Sequence, residues 1–443
     1  MNKKNFLRAA CFLPAALCAE AQGTSKWTRA DCEAYALANA PSIIRQHLAR
    51  QNAGHNQTAA WDAYLPVIGA DTSHISQSSQ SSHSSHSSSL SGALPYGLDY
   101  AGRVSSASGD DTAWTLEISK RLWGAGSWEG SLASFRNAGL ADQAAELLLR
   151  RYTRELVETV RQRCHEVIRN RQTHISNGLR LDQARRNLEV AEANQNPLDI
   201  ANARYEVPQA EAQVLRSERL ITDALDRLKE TLGLDISFEL ETDDLLPETH
   251  PVLDVAADLA WIVEQSEDIL MQELRVLQLQ NELQNLRESI GPGVSLAASV
   301  GDTFEGSGAG PDRRVTLRAS WPIGSVGDRA RLAVKENDIL DAKIQLRQTQ
   351  ISLHRQVLDY ARRLGETERQ IDVARQRLDI AVMRVELYKD KWDNGEIDIL
   401  EYVRAQNAVE DVRIELINQE TVYFDLLATY IRLTACDTRG PAD

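Results

Sequence analysis

Two stretches in the second half of the chain alternate with period two. Val294, Leu296, Ala298 and Val300 interleave with Gly293, Ser295, Ala297 and Ser299, while Val315, Leu317, Ala319, Trp321 and Ile323 interleave with Thr316, Arg318, Ser320 and Pro322. Successive side chains of a strand point to opposite faces, so each stretch predicts a strand with one oily and one polar face. The first half shows the same pattern at Trp114, Leu116, Ile118 and Leu122 against Thr115, Glu117, Ser119 and Arg121, with Lys120 the one charge on the oily side. A weaker strand around Ile68 to His74 fills the fourth slot. Strands are expected at about 67–76, 113–122, 293–302 and 315–323, each near the length that a tilted membrane strand needs.

A longer period follows each pair of strands. Short glycine turns, Gly124-Ala125-Gly126 and Gly324-Ser325-Val326-Gly327, lead into long proline-free segments. In the second, Leu332, Ile339, Leu346, Leu353, Tyr360, Thr367, Ala374, Ala381 and Tyr388 fall seven apart, and Val357, Leu364, Ile371, Leu378 and Val385 follow four later. That is a coiled-coil seam. Long helices are expected over 128–193 and 329–393, about 100 Å each at 1.5 Å per residue, with return helices over 199–232 and 401–434. Opening helical stretches, Asp31 to Tyr64 and Val255 to Ser289, precede the strands and end at Pro66 and Pro292, because the residue before a proline disfavours the helical region. The chain is thus written twice: a first repeat over 22–233, a linker over 234–253, a second repeat over 254–435 and a tail over 436–443.

Composition narrows the setting. Lys3, Lys4 and Arg8 precede the apolar run Ala9 to Ala19 and the small-residue site Ala19-Glu20-Ala21, which reads as a secretory signal peptide over 1–21. A second reading cuts before Cys18 and lipidates it, although Leu17 stands where such sites carry a small residue. The chain has 49 basic and 64 acidic residues, a net charge of −15, which excludes a basic footprint for nucleic acid. Its five cysteines, Cys11, Cys18, Cys32, Cys164 and Cys436, include no CxxC pair and signal neither a zinc site nor a disulfide framework. No phosphate-binding glycine loop, metalloprotease motif or nucleophile elbow occurs, so the sequence calls for no catalytic residue, metal or cofactor.

Beyond the leader no apolar run is long enough for a membrane helix, so any membrane crossing falls to strands. Four strands cannot close a barrel, and unsatisfied backbone at their edges is costly in lipid. Other copies of the chain must therefore meet those edges.

Local motifs repeat in order. Ala36-Leu37-Ala38-Asn39-Ala40-Pro41 opens the first repeat, Trp321-Pro322-Ile323-Gly324 closes the last strand, and the return helices start Leu198-Asp199-Ile200-Ala201-Asn202-Ala203-Arg204 and Leu400-Glu401-Tyr402-Val403-Arg404-Ala405-Gln406, ending at Leu232-Gly233 and Thr434-Ala435. With the paired hairpins and long helices, this resembles the TolC family of outer-membrane efflux and secretion channels over nearly the whole mature chain. Ala40 departs from the family's opening motif, which has Asn there. The resemblance implies a mostly α fold with a membrane β-barrel: a homotrimer with a twelve-stranded barrel in the outer membrane and a twelve-helix tunnel in the periplasm. It also implies a periplasmic membrane-fusion adaptor and an inner-membrane pump as partners, with outer-membrane lipid around the barrel. The competing reading is a periplasmic coiled-coil adaptor or scaffold without a pore, which the bare alternating hairpins argue against.

Candidate functional positions follow. Trp114, Leu116, Ile118, Val294, Leu296, Val315, Leu317 and Trp321 would face lipid, and Trp114, Trp123 and Trp321 would either form an interfacial girdle or pack at strand ends. The resemblance puts Asn194, Asn196, Pro197, Asn394, Gly395 and Asp398 at tips that contact the adaptor, and Asp199, Glu401 and Arg404 near the narrow end of the tunnel. Six acids around one opening would favour cations and can gate it. Equally, Asp199 and Glu401 are helix-N-terminal acids favoured by the helix dipole, with Arg404 pairing to Glu401. Ser76 to Ser89, with His83 and His86 among serines, is expected as a disordered external loop, with too few ligands for a metal site. Pro208 should kink its helix or displace its start.

Overall fold

The computed structural model describes residues 26–77, 80–94, 98–107, 112–123, 133–195, 197–243, 253–303, 311–320, 326–394, 396–397 and 399–435. The elements run in the order α1 (Arg29–Asn39), α2 (Pro41–Ala59), β1 (Val67–Gln77), β2 (Gln80–Leu94), β3 (Leu98–Ala107), β4 (Ala113–Trp123), α3 (Ala133–Asn194), α4 (Pro197–Leu232), α5 (Val255–Gln265), α6 (Glu267–Ile290), β5 (Gly293–Thr303), β6 (Asp312–Ser320), α7 (Val326–Asp393) and α8 (Ile399–Thr434). The fold is mostly helical with one antiparallel sheet. Two units emerge: one holds residues 45–151 and 261–354, the other the remaining segments. The leader and the tail lie outside the described residues.

In the unit that carries the sheet, six strands pair in sequence order, β1-β2-β3-β4-β5-β6. This corrects the reading of one hairpin per repeat, because the first repeat supplies four strands. Ser76 to Ser89, expected to be unstructured, belongs to β1 and β2 apart from positions 78 and 79, which lie outside the described residues. Ser85 to Leu94 pair on both sides, with β1 up to Ser91 and with β3 along their whole length. Serine runs carry no apolar alternation, so their strand character comes from ladder hydrogen bonds with neighbours, which no local pattern announces. Below the sheet, Val276, Leu279 and Leu283 of α6 pack on Ile339 and Ala342 of α7, with Leu332 alongside. Lys335 Nζ donates to Glu282 at 2.7 Å and Arg287 to Glu336 at 2.7 Å across the same pair.

The openers are each split, another departure from the sequence expectation. α1 stops at Ala40, whose φ of −60° and ψ of 131° are extended, as a residue before proline prefers. Ser266 interrupts the second opener with φ −65° and ψ 127°. Thr28 and Asp31 form a capping box at the start of α1: Thr28 Oγ1 donates to Asp31 Oδ2 at 2.7 Å, and the Asp31 amide donates back to Thr28 Oγ1 at 3.2 Å. These bonds hold the Asp31 carboxyl below its ordinary value.

In the helical unit the heptad seam of α7 is buried at Val357, Leu364, Thr367, Ile371, Ala374 and Ala381, while the positions between them are mostly exposed. Across this unit Tyr430 donates its buried hydroxyl to Asp258 at 2.6 Å, Arg161 grips Glu33 with two bonds of 2.8 and 3.2 Å, and His165 Nδ1 lies 2.9 Å from Asp425. The buried thiols of Cys32 and Cys164 are hydrogen-bonded to each other, joining α1 to α3. Pro208 sits inside α4 without displacing its start; lacking an N–H, it leaves the helix one ladder bond short. Both return helices end on a left-handed residue, Gly233 at φ 76° and Ala435 at φ 51°.

Candidate functional site

Two regions hold the candidate positions, and each is built locally. In the sheet, cross-strand partners share a face. Ile118 pairs with Ala298, and Ala298 with Val315; Lys120 pairs with Leu296, and Leu296 with Leu317; Leu116 pairs with Val300. The register therefore sets Trp114, Leu116, Ile118, Val294, Leu296, Val315 and Leu317 on one face, and Leu116, Ile118, Leu296, Val315 and Leu317 are exposed there. Trp321 lies outside the described residues, as does the side chain of Trp123. The opposite face carries Thr115, Glu117, Ser119 and Arg121 beside Ser295, Ser299, Arg314, Thr316 and Arg318. One face suits hydrocarbon and the other suits water.

Sequence reasoning missed β3 and most of β2. Their contribution to the oily face is Leu90, Gly92 and Leu94 with Leu98, Tyr100, Gly102 and Val104. The signal was present in β3, where these residues alternate with Asp99, Ala101, Arg103 and Ser105, but Gly102 and a short run hide it.

At the other region, the ends of α3 and α7 meet the starts of α4 and α8. Ala191 and Leu188 of α3, Ala203 and Ile200 of α4, Trp392 of α7 and Val403 of α8 form one apolar cluster. Trp392 stacks on Tyr402 with ring centroids 5.5 Å apart and planes 2° from parallel. Gln195 turns the chain between α3 and α4 at φ 58°, with Asn194 ending one helix and Pro197 starting the next; proline suits that first position because its missing N–H would have no partner there. The Asn394 amide donates to Asp390 and the Glu396 amide to Lys391 to close α7. Asn196, Gly395 and Asp398 lie outside the described residues.

Asp199 and Glu401 both occupy first turns, of α4 and α8 respectively. Asp199 is half-buried, whereas Glu401 and Arg404 are exposed, and among the described residues no ion pair joins those two. Further from the tips, a polar cleft of about 190 Å³ opens between α3, α4 and α8. Arg180 donates to Asp411 at 2.6 Å and to Gln213 at 3.2 Å across it, and burial there raises the Glu206 carboxyl. Among the described residues no group of His, Cys, Asp or Glu is placed to hold a metal. Positions 83 and 86 have opposite parity along β2, with partners Ile75 and Thr72.

Comparison with known proteins bears on the second repeat and on the fold. Residues 262–434 match the family model described as outer membrane efflux protein. The match runs from within α5 to the end of α8, inside the second repeat. Such proteins are transport channels of the outer membrane, reaching into the periplasm, and not enzymes. The efflux-protein fold extends over both repeats. The Campylobacter jejuni CmeC outer membrane channel is similar at a TM-score of 0.73 and 12% identity, covering 94% of this chain and 87% of that one. The open state of the Neisseria gonorrhoeae MtrE outer membrane channel gives 0.72 at 15% identity, covering 92% and 88%. Vibrio cholerae VceC, an outer membrane protein, gives 0.70 at 16% identity, covering 92% and 95%. At these identities the likeness is one of fold. A comparison with curated proteins finds no match.

Proposed function

We propose that this outer-membrane efflux protein is the passive exit duct of a multipartite efflux or type I secretion system, working as a homotrimer. The observation that carries the reading is the sheet. Its oily face is exposed, its other face is polar, and among the described residues its outer strands β1 and β6 each have one unpaired edge. In lipid those edges require partners, and copies of the same chain supply them with matched faces. The helices support the same assembly: besides its buried seam, α7 exposes a second apolar set at Ile344, Ile351, Val373, Ile380 and Leu387, suited to packing against another copy. A pore-less adaptor has no use for an exposed oily sheet of this kind.

In this assembly the helix tips around Asn194, Pro197 and Asn394 receive a periplasmic adaptor, which links the duct to an inner-membrane pump. Asp199 and Glu401, each in a first turn beside the tip cluster, form an acidic ring at the periplasmic mouth. The test is conductance of purified protein in planar bilayers, with three-fold particles in projection images. Discrete cation-favouring conductance supports the duct, and a protein that forms rods without a lumen refutes it. Asp199→Asn with Glu401→Gln is expected to raise leak through the closed channel and reduce cation preference; unchanged conductance and selectivity would remove the acids from gating.

A further inference from the structure

The resemblance to known channels implies two strands from each repeat, but here β2 and β3 are inserted between β1 and β4. They are not a flap over a finished sheet. β1 pairs with β2, β2 with β3 and β3 with β4, so β4 is joined to β1 only through the insertion.

The inserted strands keep the same face outward. Along one row Leu94 pairs with Leu98, Leu98 with Lys120 and Lys120 with Leu296; along the next Gly92 pairs with Tyr100, and Tyr100 with Ile118. Leu90, Leu94 and Val104 are 45%, 41% and 42% exposed, matching the 44%, 47% and 40% of Leu116, Ile118 and Leu296. An external loop in water has no reason to present leucine and valine in register with the lipid-facing residues of its neighbours. On the other face, Ser87, Ser89 and Ser91 stand beside Ala101, Arg103 and Ser105, continuing the polar side.

The ends of the insertion also fit a bilayer. Only three residues separate the paired Leu94 and Leu98, at the end of the sheet where β1 begins, and barrel proteins keep their periplasmic connections short. At the far end the outward row becomes Thr72 and His86, hydrogen-bonded at 3.2 Å, and then polar tips. The apolar band thus begins and stops at the same level in the insertion as in β4 and β5.

We propose that β2 and β3 form an additional membrane-spanning hairpin, facing acyl chains through Leu90, Leu94, Tyr100 and Val104. This rests on the trimeric duct proposed above. Six strands from each of three copies then close a barrel of eighteen strands, not twelve. Since barrel diameter grows roughly linearly with strand number, it is about one and a half times as wide as a twelve-stranded one. Bacterial single-chain barrels of this size enclose an open aqueous channel.

The test places single spin labels at Leu90→Cys, Val104→Cys, Ser89→Cys and Ser105→Cys, with Leu116→Cys and Thr115→Cys on β4 as references. The full chain is reconstituted in phosphatidylcholine vesicles in a Cys436→Ser background, where Cys32 and Cys164 are buried. Collisions with oxygen should dominate at 90, 104 and 116, and collisions with a water-soluble nickel chelate at 89, 105 and 115. Chelate access at 90 and 104 equal to that at 89 and 105, with alternation kept at 115 and 116, overturns the hairpin and leaves the duct standing. Loss of alternation at 115 and 116 as well overturns the duct itself. Should a labelled variant not assemble, strand counting by electron cryo-microscopy of the unaltered protein in lipid nanodiscs decides: eighteen strands uphold the proposal and twelve sink it.

Discussion

The two repeats agree in their helices and disagree in their strands. The return helices α4 and α8 are 36 residues each, both openers break after an 11-residue helix, and both return helices end on a left-handed residue. The first repeat nonetheless brings four strands to the sheet and the second brings two. The difference is physical. A helix packed in a seam has its length and phase tied to every neighbour, so an insertion throws the apolar stripe out of register. A sheet accepts strands in pairs, because a hairpin added within it returns the chain to the same end with the same face outward. One extra strand would not do this.

The largest effect should come from the shared helical frame. Leu364 is 2% exposed in the α7 seam, and Leu364→Ala is expected to destabilise by about 2–5 kcal/mol through lost burial and the cavity left behind. Ile380→Ala, at a position 54% exposed in the single chain, should leave protomer folding unchanged while weakening assembly. Thermal unfolding set against cross-linked trimer yield separates the two, and equal loss of stability at both positions would erase the distinction between seam and outer stripe.

Next comes the strand difference itself. Leu90→Arg is expected to cost about 2–4 kcal/mol, the penalty for arginine on the lipid face near the bilayer midplane, and to match Leu116→Arg. Ser89→Arg, one residue away on the polar face, should insert normally. Folding into vesicles, followed by protease protection, reads all three; tolerance of arginine at 90 but not at 116 would mark the inserted hairpin as lying outside lipid.

A smaller effect tests the helix ends. Gly233 holds φ 76°, and a Cβ there would come within 2.7 Å of Pro41 Cδ, so Gly233→Ala should destabilise by at least the roughly 1–2 kcal/mol of a left-handed conformation. Ala435 already bears that cost at φ 51°, and Ala435→Gly should be stabilising by about 1 kcal/mol. Opposite signs in chemical unfolding are the expected result.

These contrasts also locate what could be read from the chain alone. The seam from Leu332 to Tyr388 was legible because one period persists over many turns, and the shared exposed face of Leu116, Ile118, Leu296 and Leu317 because alternation with polar residues is clean. The break at Ala40 was written in Pro41. The serine run of β2 was not legible: its strand character comes from β1 and β3 on either side, which is tertiary information. At the tips, the sequence marked Asp199, Glu401 and the turn residues, but not the cluster of Ala191, Ala203, Trp392 and Val403 beneath them, since those residues come from four helices distant in the chain.

The smallest predicted effect separates the two opening helices by the chemistry of their caps. α1 begins with the reciprocal Thr28 and Asp31 box, whereas α5 begins with a single bond from the Ala257 amide to Asp254 at 3.1 Å. Thr28→Ala and Asp254→Ala should each cost about 1 kcal/mol. The box adds a pH signature. Asp31 accepts bonds from Thr28 that hold its folded pKa below the ordinary 3.8, so its stabilisation is fully present above that value and is lost as pH falls through the lower folded one. The melting-temperature gap between the wild-type protein and Asp31→Asn should therefore be constant near neutrality and shrink as pH falls below the ordinary carboxylate value. A gap that widens on acidification would mean that the charged carboxylate opposes the helix start, which the dipole and both hydrogen bonds forbid.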